Sequence, residues 1–386
     1  MSVPEKTILL DKETGKTIWR ITNSNKEDIH TYYDRCPWSQ NGKYILFSSA
    51  NTQNLSLQGN ILATQKGEVY LIDMKTYKRI RIAENAFFHS HQGAETIWNF
   101  KKNKVYFRQD GEKVGVVNVA TKEVEQFQEG RYYRFFGLSS DGKKFVFENI
   151  DKSQLEGKGI YTMNEDCSDI TMIASTEESF EISPYKEKFK ANDAIVSLAK
   201  WSPNNKYVLF NMWILDTTQP KIRVSSDVQT GLFIASKDGN EKWWLGYTGH
   251  HQSFTPDSKR VIWGDWKYTY PQDQANNSKS QAGKKEPRIV MINIDGSDRH
   301  FAVDEPVAQH PTMDPTGKFI VTFDKEGVIL VNVAKQLVER PVFFNPKFDQ
   351  SHAGTHPHCV WNHDGTQILY NSAETGNSQL YIIPLK

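Results

Sequence analysis

The amino-acid sequence predicts an all-β fold: a seven-bladed β-propeller forming one domain over residues 1–386, its ring closed by pairing of the N- and C-terminal segments in the last blade. Three observations carry this. One ten-residue pattern recurs seven times, each copy is followed by further strand signatures, and the N-terminal segment supplies strands that the last copy lacks.

The pattern is an aromatic or apolar residue, a short polar turn, then an apolar strand. It reads WSQNGKYILF from Trp38, WNFKKNKVYF from Trp98, LSSDGKKFVF from Leu138 and WSPNNKYVLF from Trp201. It continues as FTPDSKRVIW from Phe254, MDPTGKFIVT from Met313 and WNHDGTQILY from Trp361. The starts lie 60, 40, 63, 53, 59 and 48 residues apart, the length of a unit of four short strands. Second strand signatures at 67–82, 112–127, 230–245 and 287–302 carry short turns such as Asp-Gly and Lys-Asp-Gly. No segment shows a long apolar period of 3.6. The last copy runs out after LYIIPLK, and TILLDKETGKTIWRIT (7–22) reads as the outer half of the same blade. A closed ring is preferred to a linear solenoid because closure removes exposed sheet edges. Polar insertions at 50–66, 174–193, 214–229 and 267–286 read as solvated loops or as rims that shape a cleft.

Composition narrows the function. A hydrophobic content of 38% with 12% aromatics excludes disorder. With 47 basic and 46 acidic residues the net charge is +1, so binding of nucleic acid through bulk charge is not expected. No apolar run is long enough to span a bilayer, so no membrane is expected either. Cys36, Cys167 and Cys359 form no CxxC, which argues against a disulfide scaffold and a thiolate metal site. No signal peptide is visible, which points to the cytoplasm, or to the periplasm had a signal been removed.

The repeat register places candidate site residues. Three positions before the repeat aromatic stand Arg35, Glu95, Phe135, Leu198, His251, His310 and His358. Five positions before it stand Tyr33, Gly93, Tyr133, Val196, Gly249, Ala308 and His356. Residues two apart on a strand share a face, so both slots are expected around one mouth of the channel. Three of only 11 histidines occupy one slot in consecutive blades, and His356-Pro-His358 adds a fourth imidazole. Converging imidazoles suit a divalent transition metal rather than calcium or magnesium. His89, His91 and Glu95 approach the same mouth from blade two, Tyr32, Tyr33 and Arg35 from blade one, and Arg131, Tyr133 and Arg134 from blade three. Arginines suit carboxylates and tyrosines suit sugar rings, so the pocket is expected to take a small anionic ligand.

Three segments carry a resemblance to a known family. THPHCVWNHDGTQILYNSAETGNSQLYII (355–383), AQHPTMDPTGKFIV (308–321) and GHHQSFTPDSKRVIW (249–263) resemble the last three blades of the oligogalacturonate lyases, polysaccharide lyase family 22. The resemblance covers the last third of the chain; the rest matches only as propeller repeats. It implies His310, His356 and His358 as metal ligands and His251 as general base. The family's further glutamine ligand would fall at Ala353, so Gln350 or His352 is expected to take that role. Its substrate-binding arginine would fall near Gly231, which moves the role to Arg223, with Arg35, Arg131 and Arg134 as others.

The expected activity is β-elimination in a uronate-containing glycan, giving a 4,5-unsaturated product. His251 takes the C5 proton, Arg223 neutralises the carboxylate, and Tyr33, Tyr133 or water protonates the leaving group. Arg35, His91, Glu95, Arg131 and Tyr133 bind substrate, and a divalent metal, manganese first, sits on His310, His356, His358 and Gln350. The expected partner is an anionic oligosaccharide, and the chain a monomer or dimer. Two alternatives stand beside this: a metal-dependent glycan hydrolase with Glu95 as base, and a non-catalytic carbohydrate-binding propeller whose histidines tether blades.

Overall fold

The residue after each repeat aromatic is small and polar for a structural reason. In six of the seven copies its side chain accepts a hydrogen bond from the backbone N–H five residues on, closing the turn: Ser39 from Tyr44, Ser139 from Lys144, Ser202 from Tyr207, Thr255 from Arg260, Asp314 from Phe319 and Asn362 from Gln367, at 2.7–3.0 Å. Each bond fixes a hairpin, and each hairpin starts an antiparallel sheet.

A computed structural model describes residues 4–51, 53, 55–58, 61–109, 113–127, 134–149, 157–214, 230–248, 250–265, 288–307, 309–344 and 356–385. The chain divides into two compact units. The first comprises residues 1–133, 312–331 and 339–386, and the second residues 134–311 and 332–338.

In the first unit one sheet runs in the order Thr7–Leu10, Thr17–Arg20, Gln379–Pro384, Gln367–Ser372, Val360–Trp361. The two ends of the chain thus share a sheet, as expected, with Trp19 opposite Ile382 and Arg20 opposite Tyr381. A second sheet of nine strands contains two repeats. Glu27–His30, Tyr44–Ala50, Ile61–Asp73 and Lys78–His89 make the first, and Ile97–Asn99, Lys104–Gln109, Lys113–Asn118 and Val124–Phe127 the second. They join through one pairing, Ala86 with Gln109. A four-stranded sheet begins with Thr312–Met313 and Phe319–Phe323.

The second unit holds three four-stranded sheets, starting with Arg134–Leu138, Ala194–Trp201 and His250–Phe254. Their inner strands break register between Arg134 and Gly137, Ser197 and Lys200, and His250 and Ser253.

Apolar faces of the strands fill each unit. Trp38, Ile45, Phe47, Ile72, Leu369 and Ile382 form one cluster of the first unit, and Phe210, Met212, Phe233 and Ile160 belong to one in the second. Among the described residues no helix is long and apolar enough to cross a membrane.

Two of the insertions are more ordered than loops. Ser56–Gln58 pairs with Ile61–Asp73 as a hairpin. Within 174–193, Thr176–Glu181 is a helix with a Ser175/Glu178 capping box, followed by two 3₁₀ turns, Pro184–Glu187 and Ala191–Asp193. Phe180 and Tyr185, 3% and 2% exposed, anchor this segment in the second unit's core. Residues 215–229 and 267–286, the bulk of the other two insertions, lie outside the described residues.

Candidate metal centre

His356-Pro-His358 does not lie on a strand. The strand that follows is only Val360–Trp361, and His358 has φ +45°. The expectation that strand alternation aims both rings is therefore corrected: a left-handed residue turns His358, and the two ring centroids sit 5.4 Å apart. Two buried polar residues clamp the tripeptide. Asn371 donates its backbone N–H to the Pro357 carbonyl (2.9 Å) and its amide to the His356 carbonyl (3.3 Å). Its side-chain oxygen accepts from the backbone N–H of His30 (3.3 Å), whose Nε2 lies 3.4 Å from the Pro357 oxygen. Burial pushes the His30 imidazole down to about 4, although the Pro357 carbonyl works in the other direction, so the ring is neutral at ordinary pH. Sequence reasoning passed over His30 because it stands alone, outside any repeat slot.

His91 reaches the same place from a tight hairpin. His89 and Gly93 exchange two backbone hydrogen bonds, at 3.0 and 2.8 Å. Gly93 has φ +61°, and a Cβ there would lie 2.9 Å from Ser48 Oγ, so only glycine fits. The His91 ring stands 4.6 Å from His356 and 4.7 Å from His358, at steep angles of 79° and 81°. The Tyr32 ring lies 4.7 Å from His358 and 5.5 Å from His91. Ring nitrogens of His91, His356 and His358 lie within 4.8 Å of one another. Burial also lowers the pKa of His356, favouring the neutral ligand form. An all-nitrogen set of this kind fits a divalent transition metal.

Glu95 behaves differently from its neighbour. It is 4% exposed and turned inward, with Oε1 3.3 Å from His89 Nε2 and 3.2 Å from Arg108 Nη1. The His89 Nδ1 accepts from the Gln92 backbone N–H (3.1 Å), so Nε2 carries the proton given to Glu95. The Arg108 guanidinium sits 3.7 Å over the Phe87 ring. Burial alone raises the carboxyl's pKa, but the His89 hydrogen bond and the charges of Arg108 and Arg35 outweigh it, holding it at about 2 rather than 4.5. The folded state therefore favours the carboxylate, by on the order of 3 kcal/mol. That contribution is present above pH ~4.5 and is lost as pH falls towards ~2. The urea midpoint of the wild type is expected to drop between pH ~6 and ~3 by more than that of Glu95→Gln. Equal pH dependence would show that this pair does not contribute.

In the second unit, His251 and His310 stack face to face, centroids 3.5 Å apart and planes 26° apart. Ser253 donates its hydroxyl to the Pro311 carbonyl (3.1 Å), fixing the two segments side by side. Two residues after His310 the chain enters the strand Thr312–Met313 of the first unit. There Thr312 donates to the Cys359 carbonyl and accepts from the Trp361 indole, at 3.3 and 3.2 Å.

The slot three residues before the aromatic now has a backbone meaning. Glu95, Leu198, His251, His310 and His358 all have left-handed φ, of 53°, 58°, 62°, 46° and 45°. Each costs about 1–2 kcal/mol for a residue other than glycine. Such strain, repeated at one register, re-aims side chains in the manner of a bulge.

The first repeat departs from this. Its inner strand Glu27–His30 is interrupted before Trp38, and Arg35 closes a turn on the Tyr32 carbonyl (2.9 Å). Tyr33, 2% exposed, lies in the apolar cluster with Ile21 and Trp38, and burial pushes its hydroxyl far above the usual pKa. That position does not support it as a proton donor; Tyr32 is the tyrosine facing the histidines. Arg131, Tyr133, Arg223, Gln350 and His352 lie outside the described residues. His363 is a tether, its Nε2 3.2 Å from the Trp38 carbonyl, and His300 pairs with Asp298 at 3.4 Å.

No protein-family model matches the chain, and no curated protein sequence does. Solved structures do, and they define its class: the fold is that of β-propeller proteins. An oligogalacturonate lyase in complex with manganese superposes with a TM-score of 0.71 at 14% identity, over 100% of this chain and 99% of the other. The oligogalacturonate lyase of Vibrio parahaemolyticus gives 0.70 at 13% identity, over 100% and 97%. The β-propeller domain of the Trilobed protease from Pyrococcus furiosus, described as an open velcro topology, gives 0.51 at 11%, over 93% and 96%. At these identities the likeness is one of fold.

Proposed function

We propose that the chain is a single seven-bladed propeller, its ring closed by the shared terminal sheet, and a metal-dependent lyase that cleaves uronate-containing oligosaccharides by β-elimination. The observation that carries this is the convergence of His91, His356 and His358 in a chain that follows, over its whole length, the fold of a lyase solved with manganese. His356 and His358 would hold the metal, and the sequence register assigns His310 to it as well. When bound, a divalent metal, manganese first, supplies positive charge against the uronate carboxylate and the negative charge that develops beside it.

The chain's own residues do the rest. His251, its ring held by the stack on His310, takes the C5 proton. The freed electron pair becomes the C4–C5 double bond as the bond from C4 to its leaving oxygen breaks. Tyr32 or water returns a proton to that oxygen. Arg35 and Arg223 are assigned to the carboxylate. The hydrolase alternative loses its base, because Glu95 is buried in ion pairs.

The test is the ultraviolet absorbance of unsaturated uronate, measured on a panel of uronate oligosaccharides with manganese and with chelator. We expect a rise that the chelator abolishes and that His251→Ala slows by about 10²–10⁴-fold with metal content intact. Metal-loaded protein that yields no unsaturated product from any uronate would overturn the lyase. No product and no metal would leave a binding propeller.

A further inference from the structure

We propose that His91 completes the metal centre, in the role assigned from sequence to Gln350, and that Glu95 is a positioning residue that keeps it there. This rests on the lyase reading for the presence of a metal, and departs from it in the ligand set: an imidazole in place of the amide.

Three observations support it. The His91 ring is closer to those of His356 and His358, at 4.6 and 4.7 Å, than those two are to each other, at 5.4 Å. The three rings meet at angles of 64–81° rather than stacking, so that their nitrogen edges can converge on one point. The hairpin that presents His91 is also built not to move. It is pinned by the His89–Gly93 bond pair, by Ser48 Oγ accepting from the Ala94 N–H at 2.9 Å, and by the buried Glu95 bonds to His89 and Arg108. A ligand carried on a fixed loop gives up little freedom on binding, and the groups that fix it act on metal affinity from a distance.

The ligand set has a measurable consequence. Imidazole strengthens the preference for later divalent metals over manganese more than a carbonyl oxygen does. His91→Gln is therefore expected to weaken cobalt, nickel and zinc by more than it weakens manganese.

The experiment is metal titration of the full chain by calorimetry, with the visible spectrum of bound cobalt(II) as a second readout. Wild type, His91→Ala, His91→Gln, Glu95→Gln and His356→Ala are compared, with circular dichroism reporting the fold. We expect His91→Ala to lose about 100-fold or more in cobalt affinity. We expect Glu95→Gln to lose about 10–100-fold with an altered cobalt spectrum and a native fold. If His91→Ala does not fold, the cobalt-to-manganese ratio of His91→Gln decides. Unchanged affinity and spectrum in the His91 variants, with loss in His356→Ala, would overturn this inference and leave the lyase reading standing. A wild type that binds no metal would overturn both.

Discussion

Replacing His356 and His358 together with alanine will abolish stoichiometric metal binding and, with it, turnover of uronate oligosaccharides. Two of the converging imidazoles go at once, and the ligands that remain come from segments far apart in sequence. The loss in metal affinity should exceed about 10³-fold, beyond the 10–100-fold typical of changes outside the ligand set. The fold should survive. Asn371 grips this segment through the Pro357 and His356 carbonyls, which the substitutions leave in place. His358 is fully buried, so its truncation should cost about 1–3 kcal/mol, visible as a lowered urea midpoint. Metal content after exhaustive dialysis is the deciding measurement. A double variant that keeps its metal would place the centre elsewhere.

Removing residues 1–22 has the largest expected effect on stability. The strand Gln379–Pro384 loses Thr17–Arg20 as its neighbour, together with the Ile21-to-Leu380 bond and the Leu380 bond to Thr22 Oγ1, both 2.9 Å. Ile18 and Ile21, 6% and 0% exposed, leave the core. Asp11 no longer accepts from the Phe343 N–H (2.9 Å), and Thr14 no longer caps the Pro341 carbonyl (3.1 Å). Two isoleucines at about 1.5–3 kcal/mol each and several hydrogen bonds at about 1 kcal/mol each approach the whole stability of an ordinary domain, about 5–15 kcal/mol. The exposed edge of Gln379–Pro384 then becomes a template for aggregation. Expression should give insoluble protein, or a soluble fraction without a cooperative thermal transition. A truncated chain melting at the wild-type temperature would show that the terminal pairing is dispensable.

The repeats were legible because turn chemistry forces them: only a small polar side chain after the aromatic can close each hairpin on a backbone N–H. His251, His310 and His358 stood out as candidates because a rare residue recurred in one register. The left-handed backbone at that register was not legible, since glutamate, leucine and histidine all occupy it and none signals a positive φ. The nearness of His91 to His356 and His358 was not legible, because nothing local ties the hairpin 89–93 to a segment near the other end of the chain. Tyr33 was misplaced because the first repeat interrupts its inner strand, so counting back from Trp38 no longer follows strand alternation. The insertion 174–193 hid its helix because six residues are too few to display a period, and its anchors Phe180 and Tyr185 are scattered among charged residues.

The sheet shared by residues 7–20 and 360–384 also imposes an order on biosynthesis. A ribosome releases Thr17–Arg20 long before it makes Gln379–Pro384, so those first strands must wait without their neighbour through most of translation. Residues 134–311, by contrast, are nearly all of the second unit and can fold as they emerge. The interval between exit of the first strand and release of the last is when the nascent chain is most exposed to misassociation. Slower translation lengthens it, whatever the stability of the finished protein.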